Sequence, residues 1–167
     1  RDDPLELFFL LHGAIGSGKT LAVTRFQQEM FLYCHTQSDI YPIFIKLKHV
    51  QSSTSSNFMQ QCLLTQFDHA QIEVLKKNFS CLVILDGLED CGISIDERYL
   101  VEECLDFNKE CLKGSWKVLI TSSTQYLLES KDYRERLRWS PSVNFPFESE
   151  YSVLPLNHWQ IDCYIDT

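Results

Sequence analysis

The run GAIGSGKT at residues 13–20 constrains this chain more than any other feature, because it satisfies G-x-x-x-x-G-K-[ST] and lies between two segments of opposite character. Before it, Leu5 to Leu11, apolar but for Glu6, is closed by His12-Gly13, which predicts a strand buried on both faces. After it, Lys19 to Tyr33 lacks Gly and Pro and places Leu21, Ala22, Phe26, Met30 and Tyr33 at helical spacing. Strand, glycine loop and helix form the context in which this motif cradles a phosphate. Gly13, Gly16 and Gly18 let backbone N–H groups converge without Cβ atoms in the way, and the helix N-terminus adds its positive end. The expected nucleotide-binding set is Gly13, Ala14, Ile15, Gly16, Ser17, Gly18, Lys19, Thr20 and Leu21. Lys19 is expected to reach the β- and γ-phosphates and Thr20 to offer its hydroxyl to Mg2+, while His12 is expected to pack at the strand end.

Beyond the loop, strands and helices alternate. Tyr41 to Leu47 is rich in β-formers and is broken by the Ser-rich stretch 51–57, expected to be a solvated loop. Phe58 to Phe67 and Gln71 to Phe79 read as helices, with Asp68 as an N-cap. Cys81 to Leu85 is a second fully apolar strand, Asp96 to Leu112 a helix stopped by Gly114, and Lys117 to Ile120 a third core strand. A polar helix from Gln125 to Arg138, a loop marked by Pro141 and Pro146, a short strand at Tyr151 to Leu154 and a helix capped by Asn157 complete the reading. Continuous hydrophobicity in the strands, with helices between them, predicts an α/β fold whose parallel sheet is covered on both faces.

Composition narrows the function classes. Asp and Glu outnumber Lys and Arg by 23 to 15, which argues against a dedicated nucleic-acid surface, since that binding depends on cations facing phosphates. No apolar stretch approaches the roughly 18 residues of a membrane span, and Arg1-Asp2-Asp3-Pro4 is no signal peptide. Seven cysteines with no CxxC suggest neither a disulfide framework nor a zinc site, so a reducing, cytoplasmic compartment is expected.

A second acidic site follows from CLVILDGLED at residues 81–90. Asp86 ends a buried strand, where ligands of parallel sheets gather, and a carboxylate there is expected to hold Mg2+ opposite Thr20. Glu89 and Asp90 lie three and four residues on, so either is a candidate general base for a water attacking the γ-phosphate. The catalytic set is thus Lys19, Asp86, Glu89 and Asp90, and the metal set Thr20 and Asp86. In KVLITSST, residues 117–124, Thr121 or Ser122 is a candidate sensor of the γ-phosphate at a strand end.

Taken in order, GAIGSGKT, ILDGLED, VLITSST and VLPLNHWQIDCYI resemble the STAND class of P-loop NTPases, most closely the NACHT type, over essentially the whole chain. The last element fits through Leu154-Pro155-Leu156, Ile161 and Tyr164-Ile165. The resemblance implies a three-layer P-loop NTPase fold with helices on both faces of a five-stranded parallel sheet of order 5-1-4-3-2. It divides the chain into a core at 1–155 and the start of a helical subdomain at 156–167. It implies ATP or ADP with Mg2+ as ligands, helical and winged-helix domains in a longer chain, a homo-oligomer on activation, and a nucleotide-controlled switch. Two departures bear on hydrolysis. Asp90 stands where the family has Glu, and Ser123 stands where it has a sensor arginine that Arg134, Arg136 or Arg138 could replace. A hydrolysis-defective scaffold is therefore one alternative, and a small-molecule P-loop kinase another.

Overall fold

The structure is a computed structural model, and it describes residues 8–34, 40–50, 57–91, 103–104, 106–111, 116–129, 139–140, 143–144 and 150–154. In chain order the elements are β1 (Phe8–Gly13), α1 (Lys19–Cys34), β2 (Ile40–Lys46), α2 (Phe58–Leu64), α3 (His69–Asn78), β3 (Ser80–Asp86), β4 (Lys117–Ser123), α4 (Thr124–Glu129), β5 (Trp139–Ser140), β6 (Val143–Asn144) and β7 (Glu150–Val153). Single 3-10 turns follow β2 at Leu47–His49 and β3 at Leu88–Asp90. The main sheet has the order β2-β3-β4-β1-β7 with every pair parallel. That is the expected 5-1-4-3-2 order read from the other edge, with β4 inserted between the glycine-loop strand and the acidic strand.

Strand parity divides the core. Phe8 and Leu10 of β1, Ile43 and Ile45 of β2, Cys81, Val83 and Leu85 of β3, and Val118 and Ile120 of β4 share one face, where they pack with Phe58 and Met59 of α2 and Ile72 and Leu75 of α3. The opposite parity gives Leu82 and Ile84, which meet Val23 of α1 alongside the partly buried Leu11, Phe44 and Leu119. Both faces of β3 are therefore apolar, which explains why its sequence does not alternate.

Several elements differ from the sequence reading. β4 continues three residues beyond Ile120 through the hydroxyl cluster to Ser123, because Leu11, His12 and Gly13 of β1 still pair with Thr121, Ser122 and Ser123. A small antiparallel ladder, Trp139↔Asn144 and Ser140↔Val143, flanks Pro141 where a loop is expected. α1 is present and turns Ala22, Phe26 and Met30 of its predicted apolar stripe toward the sheet, but the two ends of the stripe are exposed, Leu21 at 61% and Tyr33 at 52%, whereas Val23, outside it, is 1% exposed. Phe26 and Met30 line an open groove of about 510 Å3 between α1 and the sheet, together with Phe9, Leu119 and Tyr151. Spacing predicts the helix and the middle of its sheet-facing stripe, but not Val23 or the exposure of the stripe's ends. The Ser-rich residues 51–56, Arg134, Arg136, Arg138 and everything from Pro155 onward, including the predicted Asn157 cap, lie outside the described residues, as do Gly114 and residues 96–102.

Local chemistry accounts for α3. Asp68 accepts from the N–H of Gln71 at 2.8 Å while Gln71 returns its side-chain oxygen to the N–H of Asp68 at 2.9 Å, a reciprocal cap. Lys76, buried near the other end of the helix, is held by Glu110 at 2.7 Å and lies 4.6 Å above the ring of Phe107.

Among the described residues Cys62, Cys81, Cys104 and Cys111 carry free thiols. Burial pushes the Cys81 thiol up from 9.0 to about 12 and that of Cys111 to about 11, and it also holds Cys62 and Cys104 well above the ordinary thiol value. A folded pKa above the unfolded value means that the neutral thiols stabilise the fold in full below about pH 9. That contribution is lost as pH rises through about 11 to 12. Thermal melts at fixed ionic strength are accordingly expected to show a cysteine-dependent fall in Tm above about pH 9 that is absent at neutral pH.

Candidate functional site

The sheet's parallel direction brings the C-terminal ends of β1, β3 and β4 to one edge, and the polar residues of the motifs gather there. The loop between β1 and α1 turns through Gly16 and Gly18 at φ of 78° and 88°, in the left-handed region that L side chains avoid. A Cβ at either would meet nothing within 4 Å, so this surface of the loop faces open space. Gly13 is restricted for a different reason: a Cβ there would lie 2.7 Å from Ser17 Oγ and 2.9 Å from the carbonyl oxygen of Val153. β7 thus packs directly on the root of the loop.

Lys19 is 8% exposed and its Nζ donates to the carbonyl oxygens of Gly13 and Ala14, both at 3.0 Å. The ammonium is folded against the loop that it serves, and its third proton is available to an anion lying in the loop. Ala14, Ile15 and Gly16 are exposed along the outer rim, and Thr20 and Leu21 are exposed on the first turn of α1. Ser17 Oγ is buried without a hydrogen-bond partner among the described residues, at the inner wall of the same loop.

Asp86 is 7% exposed at the end of β3, and parity with Leu82 and Ile84 turns it toward α1. Thr20 donates to its carboxylate, with Oγ1 3.1 Å from Oδ1 and 2.9 Å from Oδ2. Because that hydroxyl has one proton, the contact is a shared donation that leaves its lone pairs free for a cation. A third group completes the arrangement. Thr121, fully buried on β4, donates to Asp86 Oδ1 at 2.8 Å and accepts from the N–H of Gly87 at 2.8 Å. A hydroxyl pair at a carboxylate, beside an exposed backbone loop and a buried lysine, fits a divalent cation and a phosphate chain, since hard cations take all-oxygen donor sets.

The structure separates the remaining candidates. Thr121 and Ser122 are adjacent on β4 and therefore point to opposite faces; Ser122 shares the parity of Ile120 and lies on the α2 and α3 side, away from Asp86. Its hydroxyl lies 3.5 Å from the carbonyl oxygen of Ser123. Glu89 and Asp90 form the turn after β3. Asp90 is exposed and leans over Gly87, with its Oδ2 2.9 Å from where a Cβ of that glycine would sit. Glu89 is half-buried, and its Oε2 is buried with no hydrogen-bond partner among the described residues. Ser123 has a local role that sequence reasoning missed: its Oγ accepts from the N–H of Tyr126 at 3.1 Å and caps α4. A serine three residues before the tyrosine, at a strand-to-helix junction, was the available signal. His12, facing Thr124 Oγ1 at 3.2 Å across the strand end, is a packed residue beside the site, as expected.

Comparison with known families matches the NACHT domain over residues 7–166. The chain belongs to the NACHT family. This NACHT domain resembles the Aeropyrum pernix ORC1 protein, solved in complex with DNA, at a TM-score of 0.56 and 12% identity over 96% of this chain and 42% of that one. It also resembles C. elegans PCH-2, at a TM-score of 0.49 and 19% identity over 93% of this chain and 37% of that one. The chain spans less than half the length of either protein. Comparison with curated proteins gives no match. The fold and family together make the chain a nucleotide-binding P-loop NTPase domain of NACHT type. No helix of the described residues is long and apolar enough to cross a membrane.

Proposed function

We propose that this NACHT domain binds ATP or ADP with Mg2+ in the GAIGSGKT loop and acts within a longer chain as a nucleotide-controlled switch for oligomerisation. The observation that carries the reading is the Thr20–Asp86 contact, 2.9 Å at its shorter arm, which joins the first turn of α1 to the end of β3 across the loop's open face. Backbone N–H groups of the loop and Lys19 would hold the phosphates, and Thr20 and Asp86 would hold the cation that neutralises them. The bound cation supplies charge stabilisation at the β- and γ-phosphates. Helical and winged-helix domains of the longer chain would complete the site around the base, in a reducing, cytoplasmic setting.

A switch requires that nucleotide discriminate between two forms, since a ligand that binds both equally shifts nothing. Titrating ATP and ADP calorimetrically into monomeric and assembled full-length protein tests this, and equal affinities for the two forms would refute the switch. Adenine over guanine rests on the family resemblance, and the same titration with GTP checks it.

Slow hydrolysis accompanies the binding in this proposal. Glu89, with its unpartnered buried oxygen, is the better-placed base of the two candidates, whereas Asp90 is exposed and turned back on Gly87. Glu89→Gln is expected to lower turnover on the order of 100-fold or more, within the range for a general base. Asp90→Asn should leave turnover within about threefold. Phosphate release under single-turnover conditions measures both, and the reverse ranking would move the role to Asp90. A second reading, a nucleotide-binding scaffold without useful hydrolysis, is favoured by Ser123, whose side chain caps α4 where the resemblance calls for an arginine. Absence of turnover in the wild type with retained ATP binding would select it.

A further inference from the structure

We infer that Thr121 is a positioning residue that presents Asp86 to the Mg2+ of a bound nucleotide, rather than a residue that touches the γ-phosphate. The inference rests on the reading of Thr20 and Asp86 as the metal-holding pair. Its basis is the direction of two hydrogen bonds. The N–H of Gly87 is a donor 2.8 Å from Thr121 Oγ1, so the threonine must meet it with a lone pair. The single hydroxyl proton of Thr121 is then committed to Asp86 Oδ1, also at 2.8 Å. Thr121 is completely buried, so water does not compete for either bond.

The effect on the carboxylate is specific. Oδ1 receives Thr121 at 2.8 Å, and the shorter arm of the Thr20 donation, 2.9 Å, reaches Oδ2. With Oδ1 held by Thr121 of β4, turning the carboxylate would cost that bond, which favours the rotamer with Oδ2 beside Thr20. The tie is also independent of the loop, because it joins β3 to β4 through neighbouring parallel strands, with Leu85 opposite Ile120 as the last pair before it. Asp86 therefore keeps its orientation when Thr20 changes partner. A hydroxyl that orients a metal-holding carboxylate in this way belongs to the outer shell, whose loss commonly lowers metal affinity on the order of 10- to 100-fold.

The test is the ratio of ATP affinity in Mg2+ to that in EDTA, read by calorimetry on the intact chain. Thr121→Val keeps the shape and removes the hydroxyl; it is expected to reduce the Mg2+-dependent gain about tenfold or more while leaving affinity in EDTA unchanged. Thr121→Ser should restore the wild-type ratio. Asp86→Asn should lose the gain by itself, and adding Thr121→Val to it should change nothing further. If Thr121→Val does not fold, Thr121→Ala, which leaves room for a water at Gly87, is read in its place. A wild-type gain that survives intact in the folded variant overturns the inference. A wild type with no gain at all overturns the metal-pair reading and the inference with it.

Discussion

Lys19→Ala is expected to weaken ATP binding by about 10- to 100-fold, the loss of a hydrogen-bonded charge worth about 1.5–3 kcal/mol at about 1.4 kcal/mol per tenfold. The side chain is buried and held by two loop carbonyls at 3.0 Å, so its ammonium is already at the loop and loses little rotamer freedom when an anion arrives. Lys19→Arg should not rescue, because the planar guanidinium does not fit a site built around a compact, buried ammonium. Calorimetric titration of ATP into both variants, with circular dichroism to confirm folding, checks the expectation. Unchanged affinity in a folded Lys19→Ala protein would remove the lysine from the site.

The largest effect on stability is expected from Trp116→Ala. Trp116 is 2% exposed, stands edge-on to Phe107 with ring centroids 5.1 Å apart, and donates its indole N–H to the carbonyl oxygen of Phe79 at 3.1 Å. Its own backbone N–H donates to the side chain of Asn108 at 2.8 Å. One side chain thus ties the end of α3 and the helical residues 106–109 to the start of β4. Truncation leaves a cavity and an unpartnered carbonyl, together about 3–5 kcal/mol. That is a large share of the total stability of a domain, about 5–15 kcal/mol. Urea denaturation should show the midpoint falling sharply with little change in slope, and a Tm lowered on the order of 10 °C. A loss below about 1 kcal/mol would mean that the site collapses around the smaller side chain.

The sequence carried the glycine loop and the acidic strand end because both are local patterns with fixed chemistry. Lys19, Thr20 and Asp86 are legible as candidates in the sequence, since each lies within a motif or closes an apolar run. The resemblance supplied the strand order, and the sheet has it. What spacing could not supply was long-range pairing. Thr121 meets Asp86 because β4 lies beside β3, a neighbour 35 positions away along the chain. Parity decides which of Thr121 and Ser122 faces Asp86, with Thr121 on the side of Leu119. The edges of the α1 face are illegible for a related reason: Leu21 and Tyr33 fit the helical stripe of Ala22, Phe26 and Met30 but are exposed, while the sheet packs on Val23 beside it. Trp116 carries no local motif, because a lone tryptophan acquires its role only from what packs on it, and Ser123 reads in the sequence as a missing arginine rather than as the cap of α4.

The central claim is a Mg2+-nucleotide site formed by the loop, Lys19, Thr20 and Asp86. Calorimetric titration of ATP into the chain with Mg2+ and with EDTA tests it most directly. The account predicts saturable one-to-one binding that Mg2+ strengthens about tenfold or more, as expected where Thr20 and Asp86 hold the cation against the phosphates. No binding under either condition, or equal affinity in Mg2+ and EDTA, would contradict it.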